Sequence, residues 1–402
     1  MSRQPAALAA AVSDPGVPER YHESQSPAVD TATLERGLAD ALEQVEANLD
    51  PFYDRFPTAS SDDLLYPSTD NMGGWTTSFW TGQCWLAADV TGDDRFRDAA
   101  DTQLETFARR LEDGDTDTHD LGFLYTLSAV AGYRLTGQSD YRELALEAAQ
   151  VLVERYRDGP GIIQAWGPLE ESQDGWVQGR MIADTMMNLP LLYWASETTG
   201  EHRFAAIADT HARTNAQHIV RSDASTAHTV VCDLESGDPL AIETHQGYAD
   251  DSCWARGQAW QVYGYALAAT YTGESAYVDL AAKLANAYLE RLESDHVPRW
   301  DFDAPAAAVR DTSAAAIAAC GLDELAGVLP ATDERTPQYR AASLAMLESL
   351  AENYSAPTDS NGLLSDAAYN QPEDDYDECC IWGDYFYLEG LTRATEAWQR
   401  YW

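Results

Sequence analysis

The amino-acid sequence predicts an all-α chain folded as six helical hairpins closed into an (α/α)6 barrel. Three observations carry this expectation. A Thr-Gly pair with an aromatic residue four places after the Gly recurs in "TGDDRF" at Thr91, "TGQSDY" at Thr136, "TGEHRF" at Thr199 and "TGESAY" at Thr272. The segment before each pair is apolar nearly all round, as in "LGFLYTLSAVAGYRL", and a helix of that kind has to be buried on every side. The segment after each pair is amphipathic, as in "YRELALEAAQVLVERYRD", with apolar residues three and four apart and charges between them. Gly just past an apolar run stops a helix, so each marker joins a buried helix to one with a wet face.

Taken in order, the amphipathic helices are expected near Thr33–Asn48, Phe96–Glu112, Tyr141–Arg157, Phe204–Ile219, Tyr277–Ser294 and Pro337–Asn353. The apolar helices are expected near Thr77–Val90, Asp120–Leu135, Ile182–Ser196, Ser252–Tyr271, Thr312–Leu325 and Asp384–Trp398. Six of each, alternating, place an inner ring inside an outer one. The markers lie 45, 63 and 73 residues apart. An open helical solenoid keeps its repeats more uniform than that, so the spacing favours a barrel with long loops. Residues 1–29, rich in Pro, Ser and Ala, read as a mobile N-terminal tail, and 30–402 as a single catalytic domain.

The chain carries 25 basic and 67 acidic side chains, a net charge of −42, and Lys283 is its only lysine. That charge repels nucleic acid and anionic membranes, so neither is expected as a partner. The acids are spread along the chain, which argues against a disordered acidic arm. Dense carboxylates keep a surface hydrated in molar salt. The composition therefore points to a cytoplasmic protein of an extreme halophile, such as a halophilic archaeon. The six cysteines form no Cys-x-x-Cys pair and read as reduced thiols, and no run is long and apolar enough to span a membrane.

The repeat also places the chemistry. Trp75, Asp120, Asp184 and Arg256 each stand 15 or 16 residues before a marker threonine, at the starts of inner helices. Those starts gather on one rim of a barrel of hairpins. The segments 111–119, 158–180 and 221–250 would wall a pocket there. Asp at a helix start is also a good N-cap, and Asp250 and Asp251 read equally well as caps. Two acids on the same rim beside His119 and among aromatics weaken that reading for Asp120 and Asp184. "THQGYADDSCWARGQAW" supplies Gln246, Arg256 and Trp260, suited to carboxylate, hydroxyl and ring-face contacts with a sugar acid. His228 follows a polar loop, and His211 and His218 are expected at the surface. No phosphate loop, Gly-x-Ser-x-Gly elbow or His-Glu-x-x-His site is present in the sequence, so no metal or cofactor is expected.

"HDLGF", "DTMMNLPLLYWASE", "THQGYADDSCWARGQAW", "WDFDAP" with "RDTSAAAIAACGL", and "IWGDYFYLEGL", in that order from about Asp70 onward, resemble the unsaturated glucuronyl hydrolases of glycoside hydrolase family 88. The resemblance implies a six-hairpin barrel. It also implies hydrolysis by hydration of the C4=C5 vinyl ether in a 4,5-unsaturated uronic acid at the non-reducing end of lyase-generated oligosaccharides. Asp184 would be the acid/base and Asp120 the second acid, with His228, Gln246, Arg256, Trp260, Trp75 and His119 around the sugar. An unsaturated rhamnogalacturonyl hydrolase on the same barrel, a sugar epimerase and a non-catalytic oligosaccharide-binding protein are the alternatives.

Overall fold

The computed structural model describes residues 5–22, 29–170, 175–396 and 398–402. A short helix α1 (Pro5–Ala10) precedes the barrel. The outer helices are α2 (Thr31–Phe52), α4 (Asp94–Glu112), α7 (Ser139–Glu154), α9 (His202–His218), α11 (Ser275–Arg291) and α13 (Arg335–Asn353). The inner helices are α3 (Thr77–Thr91), α5 (Leu121–Tyr125) continued by α6 (Ala131–Thr136), α8 (Pro190–Thr199), α10 (Ala255–Thr272), α12 (Thr312–Val328) and α14 (Ile381–Thr395). Each inner helix packs on the next, and α14 returns to α3, so the ring is closed as expected.

The marker works through both of its residues. Gly92, Gly137, Gly200 and Gly273 sit at φ values of 66–77°, the left-handed conformation that ends each inner helix. The threonine before each Gly donates its hydroxyl to the carbonyl four residues back, Thr91 to Ala87 and Thr272 to Ala268 at 2.6 Å. The same oxygen accepts an amide N–H two residues ahead, from Asp93 and from Glu274. One side chain thus bonds the end of the first helix and the amide at the start of the second in each hairpin.

Two inner helices are less regular than expected. Between α5 and α6 the chain runs as a π-helical turn, Thr126–Val130, and the third inner helix opens as a 3-10 turn, Ala183–Met187. Pro190 has no N–H to give, which suits it to the first position of a helix, and α8 begins there. Short antiparallel strands occupy the loops: β1 (Phe56–Pro57) with β2 (Ser68–Thr69), β3 (Tyr156–Arg157) with β4 (Ile162–Ile163), and a sheet of β5 (Arg180–Ile182), β6 (Thr229–Cys232) and β7 (Pro239–Glu243). That sheet joins the two long loops entering α8 and α10.

Residues 5–22, within the expected tail, lie against the barrel. The lone lysine, Lys283, donates to the carbonyls of Ala9 (2.7 Å) and Val12 (2.8 Å), and Tyr21 is wholly buried. Arg20 donates to the Leu289 and Leu292 carbonyls and Asn286 donates to Asp14, so several polar contacts and one buried aromatic ring hold a segment of polar composition. Residues 1–4 and 23–28 of that expectation lie outside the described residues. The last inner helix ends at Thr395, earlier than expected, and Trp402 fills the barrel interior. Its ring stacks on Phe386 at 5.7 Å and its indole N–H donates to Glu389 (2.8 Å).

Candidate active site

A cavity of about 370 Å³ opens at the N-terminal ends of the inner helices. Its wall includes Trp75, His119, Asp120, Asp184, His228, Gln246 and Arg256, from five separate stretches of chain. The loops expected to wall it do so, through Asp117 and Thr118, Trp166, and His228 with His245. Of the eight site residues expected from the sequence, seven meet here.

The exception is Trp260. Its side chain is fully buried, packed on Phe123 (5.3 Å) and Phe386 (5.4 Å), and it reaches the wall residue Trp75 through Phe123. It lies one helical turn beyond Arg256 on α10, a turn deeper in the barrel. His211 is corrected as well: it is buried, and its Nδ1 accepts the amide N–H of Ile163 at 2.8 Å. Its outer helix presses that face against the β4 loop instead of solvent. The expected caps at Asp250 and Asp251 are not formed, since Trp254 takes the capping position of α10 and Asp250 instead accepts the Thr244 N–H.

Neither candidate acid caps its helix by its side chain. The Asp120 carboxylate accepts the Thr118 hydroxyl at 2.6 Å and the Asn188 amide at 3.4 Å, and His119 Nε2 is 3.4 Å from it. Asp184 is different. Its Oδ1 is shut off from solvent and has no hydrogen-bond partner among the described residues. Burial first, and then the nearby Asp120 charge, push the Asp184 carboxyl up to about 7, while Arg256 pulls the other way. A carboxyl held there carries its proton close to neutral pH.

The histidines are arranged as neutral rings. His119 Nδ1 pairs with the Thr185 hydroxyl at 2.8 Å, and burial holds the ring below the usual histidine range. His228 Nδ1 pairs with Thr244 Oγ1 at 3.0 Å, and the ring lies on Trp254. Burial, then His245 and Arg256, keep it well below that range. Trp75 stacks on Trp382 (5.2 Å), which braces it at the wall.

Asn188 was not singled out by sequence reasoning, yet it ties the two acids together. Its side-chain oxygen accepts the Phe123 N–H at 2.7 Å, and its amide lies 3.4 Å from both the Asp120 carboxylate and the Asp184 carbonyl. It can do this because Gly122 has no side chain: a Cβ there would sit 2.3 Å from the Asn188 Cα. The only local signal was a Gly inside an apolar run, two residues after Asp120. The wall residue Trp166 was likewise unmarked, because one Trp in a polar loop carries no periodicity.

The model of Glycosyl Hydrolase Family 88 matches residues 50–374. The chain belongs to this family. It is 40% identical over 391 residues to the unsaturated chondroitin disaccharide hydrolase of Streptococcus pneumoniae, covering 96% of this chain and 97% of that one. The crystal structure of the unsaturated glucuronyl hydrolase of Bacillus sp. GL1 superposes with a TM-score of 0.86 at 40% identity, over 90% of this chain and 96% of the other. A variant of the unsaturated glucuronyl hydrolase of Streptococcus agalactiae, solved with dGlcA-GalNAc6S, gives a TM-score of 0.85 at 34% identity over 97% and 99% of the two chains. The family fold is the closed barrel reached above.

Gly122→Ala tests how the acids are brought together. The added methyl forces α5 off Asn188, at a cost of about 1–3 kcal/mol typical of overpacking. The expected result is a lowered denaturation midpoint together with a loss of kcat/KM larger than the same destabilisation causes when placed at the outer helices.

Proposed function

We propose that this family member releases the 4,5-unsaturated uronic acid from the non-reducing end of lyase-generated oligosaccharides by hydrating its C4=C5 double bond. The observation that carries the reading is the pairing of two carboxyls in one cavity, with Asp184 holding a proton to about 7. The alkene is a vinyl ether, so protonation at C4 is assisted by the ring oxygen. In the proposed reaction Asp184 gives its proton to C4 and positive charge develops at C5. The resulting carboxylate takes a proton from water as that water bonds to C5. The hemiketal opens, the glycosidic bond breaks, the leaving sugar takes the hydroxyl proton, and the uronic acid departs as an open keto-aldehyde.

Asp120 has two roles in this scheme. It accepts a hydrogen bond from a sugar hydroxyl, and its charge keeps the proton on Asp184. Neutral His119 and His228 supply hydrogen bonds without adding positive charge that would ionise the acid. Trp75 and Trp166 offer ring faces to the sugars. A disaccharide with an amino-sugar partner is the favoured substrate class, supported by the relatives named for chondroitin disaccharides and by the one bound to dGlcA-GalNAc6S.

The acid excess and six free, buried cysteines support a further reading, a cytoplasmic protein adapted to molar salt. Screening shortens electrostatic range to about 3 Å at 1 M, which removes the barrier to an anionic substrate meeting a chain of charge −42. Turnover is expected to rise steeply from dilute buffer to molar salt; highest rates in dilute buffer with the fold intact would contradict this.

Loss of the vinyl-ether absorbance of purified unsaturated disaccharides measures the reaction. Asp184→Asn is expected to lower kcat by at least about a hundredfold, the usual contribution of a general acid, while binding is retained. Because the protonated form is active, wild-type kcat/KM should fall as pH rises through about 7. Asp120→Asn removes the neighbouring negative charge, so its residual activity should fall away at lower pH than the wild type. Full turnover by Asp184→Asn would assign the acid elsewhere.

A further inference from the structure

Arg256 looks like the group that grips the substrate carboxylate, but its guanidinium is already spent. One terminal nitrogen donates to Asp311 Oδ2 and to the Ala368 carbonyl, both at 2.6 Å. The other donates to Gln246 Oε1 (2.8 Å) and the Tyr369 carbonyl (2.7 Å). The ring faces of Trp254 and Trp382 lie 4.4 and 5.1 Å from its central carbon. All four terminal N–H groups are used by protein, and no partner of Nε is recorded among the described residues.

Asp311 is the anion that receives this charge. It is fully buried at the start of α12. Oδ1 accepts from the Ser313 hydroxyl (2.5 Å), from the Ser313 and Ala314 amides, and from Ala368 N–H at 3.5 Å. One carboxylate therefore caps α12, pins the 368–369 backbone and neutralises Arg256. Tyr369 in turn accepts the Trp75 indole N–H at its hydroxyl (3.4 Å), so the same clamp extends to the cavity wall.

We propose that Asp311 is a positioning residue of the reaction: by taking up the charge of Arg256 it lets Asp184, across the cavity wall, keep its proton. A guanidinium among the cavity-lining groups favours an ionised carboxylate. Paired with an anion at 2.6 Å, it acts at Asp184 as a dipole, whose field falls off faster than that of a lone charge. The charged and titratable groups around Asp184 are Asp120 and His119 before α5, His228 at the start of β6, His245 and Arg256, with Asp117 at the cavity edge. Those around the pair are Tyr288 on α11 and Tyr369, Asp375 and Cys380 on the segment entering α14. Among the described wall residues Arg256 is the one arginine, and none is lysine. Burial and Asp120 hold the proton on Asp184, and Arg256 is the charge that opposes them, so its neutralisation limits that opposition.

The inference rests on Asp184 being the acid. In Asp311→Asn, which keeps an acceptor for the α12 cap, the alkaline limb of kcat/KM is expected to move down by about one pH unit. That is a roughly tenfold loss at pH 8 with little change at pH 5. Ser313→Ala weakens the same cap without altering charge and should leave the limb in place. An equal loss at every pH in Asp311→Asn, or an equal shift in Ser313→Ala, overturns the proposal. If Asp311→Asn does not fold, Arg256→Gln/Asp311→Asn removes the pair together, a change buried ion pairs tolerate better than loss of one partner. NMR of isotope-labelled aspartate should then show Asp184 titrating at or above the wild-type midpoint, and a midpoint well below it overturns the proposal. This readout does not need turnover, so failure of the acid assignment itself, seen as an active Asp184→Asn, is distinguishable.

Discussion

The site depends on the contact of Gly122 with Asn188. Two inner helices of a barrel normally stand apart by the width of their side chains. Here the missing side chain at Gly122 lets the backbone entering α5 touch the turn that precedes α8. Asp120 and Asp184 are carried in with those two segments, and the Asn188 side chain bonds both neighbours at once. The proximity puts like charges beside each other in a place with little water. Such a pair resolves its repulsion by keeping a proton on one member, and the member without hydrogen-bond partners on Oδ1 is Asp184.

Around this pair the protein spends its positive charge carefully. Arg256 reaches the cavity, but a buried aspartate and two carbonyls hold it. The three histidines on the wall, His119, His228 and His245, are held below the usual histidine range because burial disfavours their charged forms. Asp120 is satisfied by a threonine hydroxyl and an amide, neutral donors that stabilise it less than a cation would. The arrangement costs stability, since a polar oxygen on Asp184 is left unpaired inside the protein. The same unpaired oxygen leaves the ionised form without a partner, so the proton is held until an electron-rich alkene takes it.

Much of this was legible in the sequence because it repeats. The Thr-Gly markers gave the hairpins, and counting back 15 or 16 residues from them put Trp75, Asp120, Asp184 and Arg256 on one rim, where they lie. What was not legible depends on contacts between distant segments. The link from Asp311 to Arg256 spans 55 residues, and that from His119 to Thr185 spans 66. No periodicity marks either. Trp260 has the residue type of a sugar platform and lies one turn too deep, a distinction that depth in the barrel makes and composition does not. The docking of residues 5–22 turns on a few side chains, Lys283, Arg20, Asn286 and Tyr21, which a composition-based reading averages away.

The central claim is that a buried carboxyl on Asp184 stays protonated near neutral pH. Infrared difference spectra of the wild type against Asp184→Asn, recorded across pH, isolate that one group. The account predicts a protonated carboxyl band that persists past the ordinary aspartate range and disappears around pH 7. A band already lost by about pH 5 would show Asp184 to be an ordinary carboxylate, and the cavity would then have no acid to start the reaction.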